Sequence, residues 1–191
     1  MNRAAMGHTK FFAAAFLIGC FFVSSCENDE KQIKELTEYK VMTEEAKNIE
    51  SYLSQNGEMK AKLTAPFMSR VLGDTLYIEF PKTLHIDFLD SNTTIQSWVD
   101  AKYGKYYENY NKAFLRDSVV VINTQGDTLK CPDLWWEQDK QMFYTDKYAI
   151  YHSKDRQIYG GKGMEATQDL KTIIFKQPTG TVKVSESGFP Q

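Results

Sequence analysis

Hydrophobic and polar residues alternate along the chain from Ile49 onward. This period of two is typical of strands that bury one face. In the first clear stretch the apolar positions are Met59, Ala61, Leu63, Ala65 and Phe67. Asn56-Gly57 comes just before this stretch, and that dipeptide is a strong signal for a tight hairpin turn. We therefore expect residues 49–53 to form the opposing strand of a hairpin.

Further strand-like stretches follow, separated by turn signals rich in Gly, Asp, Asn and Pro, the last of them Pro178-Thr179-Gly180. No long helical pattern interrupts them. Short strands at this spacing predict an all-β antiparallel sandwich, barrel or roll. The stretches are LYIEF (76–80), TLHIDFL (83–89), TIQSWVDAKY (94–103), SVVVIN (118–123), DTLKC (127–131), LWWEQ (134–138), QMFYT (141–145), YAIYHS (148–153), RQIYG (156–160), KTIIFK (171–176) and TVKVS (181–185).

A faint internal repeat runs through these strands. Each copy has a polar turn, an apolar strand, a small residue and then an aromatic-rich return strand. The small residues are Ala65, Ala101, Cys131 and, in a weaker copy, Ala166. Such a repeat indicates stacked hairpins that form an elongated sheet, rather than a compact enzyme with a single pocket.

The first 25 residues differ from the rest. Arg3 and Lys10 give a basic start without an acid, and residues 11–25 carry no charge. A basic start, a short apolar run and a small-residue end describe a secretory signal peptide. The run is shorter than the roughly 20 residues that a membrane-spanning helix needs.

Two cysteines near the end of this segment fit a bacterial lipoprotein signal, in which an aliphatic residue and two small residues precede a cysteine. Residues 17–20 end in Cys20 and residues 23–26 end in Cys26. We favour Cys26, because cleavage there removes the whole apolar run and exposes a polar terminus. An uncleaved signal anchor is the alternative. Acylation of Cys26 with two or more chains would hold the protein on a membrane, outside the cytoplasm.

The expected organisation follows from these boundaries. Residues 1–25 are a lipoprotein signal peptide, residues 26–47 are the lipidated cysteine and a flexible polar tether, and residues 48–191 are the β domain. The 166 residues that remain after cleavage are enough for one domain with a substantial core.

The charge balance is mildly acidic. The chain carries 23 Lys and Arg against 25 Asp and Glu, and residues 1–25 hold two of the basic residues and none of the acids. The mature part therefore has a net charge of −4, which argues against nucleic acid as a partner. Cys131 has no second cysteine in the mature chain apart from Cys26, so we expect a buried structural thiol and no internal disulfide.

Residues for catalysis or metal binding are sparse. His85 and His152 are the two histidines beyond the signal segment, and they lie in separate predicted strands, so we expect no metal site and no cofactor. Residues 160–163 (GGKG) could suggest a phosphate loop, but no predicted helix follows them, and we expect a turn or bulge between strands.

Two acid pairs leave a hydrolase open as an alternative. Asp87 with Asp90, or Asp133 with Glu137, could act as acid and base. Solvated charges on strand faces would give the same pattern, and we predict that the protein is not an enzyme.

Trp135-Trp136 raises a third possibility. Adjacent residues of a strand point to opposite faces, so one ring can enter the interior while the other lies outside. An outer Trp could stack on a sugar or simply pack against its neighbours. A surface lipoprotein that binds glycan is therefore the alternative function.

Several stretches together resemble a known family. They are residues 56–66 (NGEMKAKLTAP), Phe80-Pro81-Lys82 with residues 85–88 (HIDF), Ala101-Lys102-Tyr103 with Tyr106-Tyr107, residues 117–123 with 126–129, and residues 158–165 (IYGGKGME). Their order and spacing resemble the LptC family, the periplasmic component of the lipopolysaccharide export ABC transporter, in its Bacteroidetes-type lipoprotein form. The likeness covers about residues 45–185, and a lipoprotein signal stands here where many members have a transmembrane helix.

The resemblance implies a twisted, open antiparallel β-jellyroll of the OstA/LptA-like kind, whose interior shields the acyl chains of lipopolysaccharide. It implies two protein partners, the inner-membrane ABC transporter permeases and a jellyroll bridge protein. It implies a location on the periplasmic side of the inner membrane. For Gly161 and Gly163 it implies a structural role in a turn.

An apolar lining suits such a role. Moving an acyl chain of about 12 carbons into water costs on the order of 10 kcal/mol, so a conduit needs a continuous apolar surface and no catalytic centre. The candidate interior-lining residues are Leu63, Phe67, Ile78, Phe80, Ile86, Phe88, Val99, Tyr103, Val119, Val121 and Trp136. Each of them could equally belong to a plain packed core.

Overall fold

The computed structural model describes residues 42–182, which belong to one compact unit spanning Val41–Gln191. The predicted signal peptide, Cys26 and the tether up to residue 41 lie outside the described residues. Among residues 42–182, no helix is long and apolar enough to cross a membrane.

The described chain is all-β and antiparallel, as predicted. A single 3₁₀ turn, Glu108–Tyr110, interrupts the strands of residues 42–182. The strands are β1 (Met42–Gln55), β2 (Glu58–Leu72), β3 (Tyr77–Phe80), β4 (Leu84–Leu89), β5 (Ile95–Ala101), β6 (Tyr103–Tyr107), β7 (Lys112–Asn123), β8 (Thr128–Glu137), β9 (Met142–Thr145), β10 (Ala149–His152), β11 (Arg156–Gly160), β12 (Met164–Thr167), β13 (Ile173–Phe175) and β14 (Pro178–Val182).

The predicted hairpin joins the two longest strands. Asn56 and Gly57 form its turn with φ angles of 54° and 80°. Both angles are positive, as a type I′ turn requires, and this explains why Asn-Gly suits the position. β1 and β2 then pair from Gln55–Glu58 to Met42–Leu72.

The fourteen strands form one continuous sheet, and its longest strands, β1, β2, β7 and β8, run through a bend that divides it into two halves. Half of the sheet, called sheet I here, is built from residues 42–47 of β1, 68–72 of β2, β3, β6, 112–116 of β7, 133–137 of β8, β9, β12 and β13. The other half, sheet II, is built from residues 49–55 of β1, 58–65 of β2, β4, β5, 119–123 of β7, 128–131 of β8, β10, β11 and β14.

The bend separates the two halves and has a recognisable sequence. It passes through Pro66 in β2, Lys102 between β5 and β6, the register shift at 117–118 in β7, and Pro132 in β8. Asp117 and Ser118 both have positive φ there, 66° and 63°. The core of the molecule lies between the two sheets, so the fold is the predicted jellyroll.

The faint repeat in the sequence marks this bend. Ala65, Ala101 and Cys131 are each buried, and each is the last inward-facing residue before the bend. After the bend the alternation shifts by one residue, so that the next inward-facing residues are Met68, Gly104 and Leu134. Small residues here also lie opposite large ones. Ala101 pairs with Leu84, and Gly104 pairs with Phe80. The weaker fourth copy, Ala166, is buried but lies within β12, away from the bend.

Several sequence-based assignments differ from the structure. Residues 42–47, which were assigned to the tether, belong to β1, where their exposed side chains gave no apolar alternation. Residues 178–180 were assigned to a turn, but they form the start of β14, and Pro178 is tolerated there because an edge strand loses little from a missing N–H. β12 was not predicted, because its four residues, MEAT, carry little β-branched or aromatic character.

Candidate functional site

A cavity of about 190 Å³ lies between the sheets at the β1–β2 end of the roll. We call it the chamber. Sheet II forms one wall of the chamber and sheet I forms the other. β2 contributes to both walls, because it runs through the bend. The lining residues are Ile49, Ser51, Tyr52, Leu53, Ala61, Leu63, Met68, Ile78, Phe80, Leu84, Ile86, Lys105, Tyr106, Ala113, Leu115 and Trp136.

The chamber wall is mostly apolar. Ile86 points inward from sheet II and Leu115 points inward from sheet I, with 4% and 1% of their surface exposed. Leu84 packs against the backbone of Gly104, which has no side chain. A cavity lined in this way favours hydrocarbon over water, since water needs two to four polar partners. An aliphatic chain is therefore the kind of ligand that the chamber suits.

Five of the predicted lining residues line the chamber: Leu63, Ile78, Phe80, Ile86 and Trp136. Four others are buried between the sheets in the same core cluster but away from the chamber: Phe88, Val99, Val119 and Val121. These four are packed against neighbours, so they form a plain core in this structure.

Phe67 and Tyr103 do not line the interior. Both follow the bend, where the inward face moves by one position, so a strict period of two assigns them to the wrong side. Phe67 is outside the core cluster, with Lys82 Nζ 5.7 Å from its ring centroid. Tyr103 lies under the Arg116 guanidinium at 4.0 Å and donates a hydrogen bond to Glu79.

The residues that take these inward positions are Met68 and Tyr106. The sequence analysis missed them, together with Ala113 and Leu115 on β7. Pro66 carried the available signal, because a proline inside a strand marks a bulge or bend at which alternation can change phase. Residues 112–116 (KAFLR) alternate in the usual way, but the charged residues at both ends of this short stretch hide the strand pattern.

An aromatic cluster closes the chamber on the side of the packed core. The Phe88 ring lies 5.0 Å from the Trp136 ring and 5.4 Å from the Phe143 ring, measured between centroids. Phe88 comes from sheet II and the other two come from sheet I, so the cluster ties the sheets together. Trp136 Nε1 also donates a hydrogen bond to Gln168 Oε1 at 3.1 Å.

The Trp pair divides between the two faces, as predicted. Trp136 is inward, and Trp135 lies on the outer face of sheet I, 4.8 Å from Phe114 and 6.0 Å from Tyr107. Tyr144 on β9 is nearly parallel to Trp135, with an interplanar angle of 9°. These rings form an aromatic surface, which is the part of the molecule that a sugar could stack on.

The acidic residues of the hydrolase alternative have structural partners. Asp133 accepts a hydrogen bond from Thr145 Oγ1 at 2.9 Å, and Glu137 pairs with Lys112 and Lys140. The hydrogen bond from Lys140, and to a smaller extent the one from Lys112, lowers the pKa of Glu137. Asp133 is thus bonded to a threonine and Glu137 to two lysines, which does not favour an acid and base pair.

His85 lies on the outer face of β4 between two carboxylates. Its Nδ1 is 2.8 Å from Asp100 and its Nε2 is 3.0 Å from Asp87. Partial burial lowers the pKa of His85, but the hydrogen bonds to Asp100 and Asp87 outweigh it and raise the pKa overall. Within residues 42–182, no group of three His, Cys, Asp or Glu side chains is arranged to hold a metal ion.

Cys131 and the two candidate turn glycines have structural surroundings. Burial raises the pKa of the Cys131 thiol to about 12, so it stays protonated. Gly161 and Gly163 lie in the turn between β11 and β12 at the bend. A Cβ on Gly163, whose φ is 99°, would come within 2.1 Å of the Thr145 carbonyl oxygen, so its position demands glycine.

Comparison with known proteins agrees with this geometry. No curated protein matches the chain in a sequence search. A family model described as "Lipopolysaccharide-assembly, LptC-related" matches residues 11–182, which is most of the chain and all of the bent sheet. The chain therefore belongs to the LptC-related family of lipopolysaccharide assembly.

Proposed function

We propose that this protein accepts lipopolysaccharide from an inner-membrane ABC transporter and passes it to a jellyroll bridge protein that leads toward the outer membrane. Membership of the family implies a role in lipopolysaccharide transport and a place in the periplasm beside the inner membrane. The direction of transfer, the permeases and the bridge are the proposal. The observation that carries it is the apolar chamber between the two sheets.

The chamber suits the acyl chains of lipopolysaccharide, which are its hydrophobic part. An acyl chain gains about 0.8 kcal/mol for each CH₂ that leaves water, and the chamber offers aliphatic and aromatic walls for it. The charged headgroup would stay outside, because few polar side chains reach the chamber. No reaction is required of the residues that touch the ligand.

Both ends of the bent sheet could receive another roll. β1 pairs with β2 on one side, and its other edge has no strand partner within residues 42–182. β13 and β14 form the opposite edges, and every residue of β14 is exposed. Unpaired strand edges accept a strand from another chain, which would join successive rolls into a bridge.

The membrane attachment belongs to the same proposal. Cys26 and the tether lie outside the described residues, and β1 begins at Met42. We propose that acylation of Cys26 holds the β1 end of the roll near the inner membrane. That end contains the chamber, so lipid leaving the membrane would meet the chamber first.

Filling the chamber tests the proposal. Ala61→Phe places a ring in the chamber, and we expect binding of fluorescently labelled lipopolysaccharide to weaken by about tenfold or more, because ring and acyl chain compete for one space. Filling a cavity does not usually unfold a protein, so the melting temperature should fall by no more than a few degrees. Lys60→Phe, on the outer face of the same strand, is the matched control. Unchanged lipopolysaccharide binding by Ala61→Phe at normal stability would contradict the proposal.

The aromatic surface supports glycan binding as a second candidate function. Trp135, Tyr107 and Tyr144 lie within 6.3 Å of their ring neighbours on the outer face of sheet I. If glycan binding were the function, Trp135→Ala would abolish it while leaving the chamber intact, whereas Ala61→Phe would leave glycan binding unchanged.

A further inference from the structure

The loop between β12 and β13, residues 168–172, fastens sheet I to sheet II. It lies at the seam, our name for the side opposite the bend, where the strands of the two sheets end. Ser97 Oγ of sheet II donates a buried hydrogen bond to the Gln168 carbonyl oxygen at 2.6 Å. Asn123 Nδ2 of sheet II donates to the Asp169 carbonyl oxygen at 3.3 Å. Gln55 Nε2 also bridges the seam, to Asp139 Oδ1 at 3.2 Å.

An apolar side chain of this loop enters the interior. Leu170 is 2% exposed and belongs to the core cluster between the sheets. Its φ is 58°, a left-handed conformation that residues with a Cβ rarely adopt. The loop therefore buries Leu170 at a conformational cost, which release of the loop would relieve.

Hydrogen bonds within the loop support its closed form. Thr167 Oγ1 donates to Asp169 Oδ1 at 2.7 Å, Leu170 N donates to the Thr167 carbonyl oxygen at 2.9 Å, and Thr167 N donates to the Thr172 carbonyl oxygen at 2.9 Å. These bonds all lie on the sheet I side. Separation from sheet II would break the bonds to Ser97 and Asn123, take Leu170 out of the core and open the loop's own amides to water.

Trp136 connects the loop to the chamber. Its ring lines the chamber, and its Nε1 holds the Gln168 side chain. Gln168 is 3% exposed, and within residues 42–182 its Nε2 has no hydrogen-bond partner. A buried amide donor without a partner favours any movement that brings it to water. A ligand that shifts Trp136 would thus act directly on the loop.

The size of the chamber is the reason for considering such a movement. An apolar cavity of about 150 Å³ takes a molecule of the size of benzene. The chamber, at about 190 Å³, is only slightly larger, and the Phe88–Trp136–Phe143 cluster ends it. An acyl chain of about 12 carbons that stays between the sheets has to extend past Trp136, where the interior is packed.

We propose that residues 168–172 are a latch that holds the two sheets together at the seam and releases when an acyl chain in the chamber displaces Trp136. That the ligand is an acyl chain rests on the proposed function. The hydrogen bond by which Trp136 holds the latch does not depend on that function. Release lets the sheets separate beside the packed core, and the chain then advances from the chamber toward β9–β14.

Hydrogen exchange of the purified full chain tests the latch. Trp136→Phe keeps a ring in the chamber wall and removes the donor to Gln168. We expect the amides of residues 168–172 to exchange about fivefold faster or more in this variant, while those of β4 stay protected. Ser97→Ala removes a seam donor without touching the chamber and should act in the same direction. Trp135→Phe, on the outer face, is the matched control and should change nothing in the loop.

Addition of lauric acid to the unmodified protein separates the two ideas. Faster exchange of residues 168–172 upon saturation supports release by an acyl chain. Binding of lauric acid without a change in the loop would overturn the latch and leave the proposed function standing. Absence of binding by both lauric acid and lipopolysaccharide would overturn the proposed function and, with it, release by a ligand. If the amides of residues 168–172 exchange at the wild-type rate in both Trp136→Phe and Ser97→Ala, the claim that Trp136 and Ser97 hold the latch is wrong.

Discussion

At the residue scale, side chains on the two faces of the bent sheet have different tasks. Inward residues such as Ile86 and Leu115 exclude water from the space between the sheets. Outward residues form charge pairs and aromatic contacts, including the contact of Arg116 with Tyr103 at 4.0 Å. Neighbouring residues therefore give opposite results on substitution, which makes adjacent pairs useful controls.

His85 gives the molecule a pH dependence that can be measured. Its pKa is higher in the folded protein than in the unfolded chain, although burial opposes the hydrogen bonds to Asp100 and Asp87. A raised pKa means that the protonated histidine stabilises the fold below about pH 6.5 and that this stabilisation disappears as the pH rises through the folded-state pKa. Relative to His85→Gln, the wild type should therefore lose free energy of unfolding as the pH rises above about 6.5 and through the raised pKa of His85.

Urea denaturation of both proteins at several pH values checks this expectation. The effect should be small, because the His85 side chain is 37% exposed and solvent screens its pairs with Asp87 and Asp100. Lys62, which lies opposite Asp87 on β2, stays charged over this range and acts as a constant background. A difference in the free energy of unfolding between the two proteins that does not change with pH would contradict a raised pKa of His85.

At the element scale, the bend organises the structure. It turns one long sheet into two facing ones and moves the inward face by one position in β2, at the step from β5 to β6, and in β8. The turn between β11 and β12 crosses the same bend, where Gly160 and Gly163 bring two backbone segments into contact.

Gly163→Ala should destabilise the domain strongly. Its φ of 99° and the approach of a Cβ to within 2.1 Å of the Thr145 carbonyl oxygen leave no room for alanine. We expect a loss of about 2–3 kcal/mol or more in the free energy of unfolding, measured by urea denaturation. Gly161→Ala is the control, because its Cβ would lie 3.3 Å from the Gln177 carbonyl oxygen and needs only a small adjustment. Equal stability of the two variants would show that the bend is less tightly packed than described.

The bend also explains how far the sequence could predict the structure. Alternation predicted the all-β fold, and Asn56-Gly57 predicted the first hairpin. The phase change at Pro66 and after Ala101 depends on how strands cross between two sheets, which a period of two cannot represent. Phe67 and Tyr103 were therefore assigned to the interior, and Met68 and Tyr106 were missed. The latch was not foreseen either, since Leu170 is an isolated apolar residue in a polar turn.

At the scale of the whole molecule, the roll has an apolar chamber at one end and a packed interior at the other. The chamber lies beside β1, the strand nearest in sequence to the predicted lipid anchor at Cys26. The packed part lies toward β13 and β14, whose edges could receive the next roll. This arrangement agrees with the proposed function, in which lipid would enter at the β1 end and leave at the β14 end.

A photo-crosslinking amino acid in the chamber tests the central claim most directly. Placed at Ile86 in the full-length protein in cells, it should capture lipopolysaccharide, because that side chain lines the chamber. Placed at Asp87, the next residue and on the outer face, it should capture little or none. Capture at position 86 well above that at position 87 is the result we predict. Equal capture at the two positions, or none at position 86 in a correctly folded and located protein, would contradict transport through the interior of the roll.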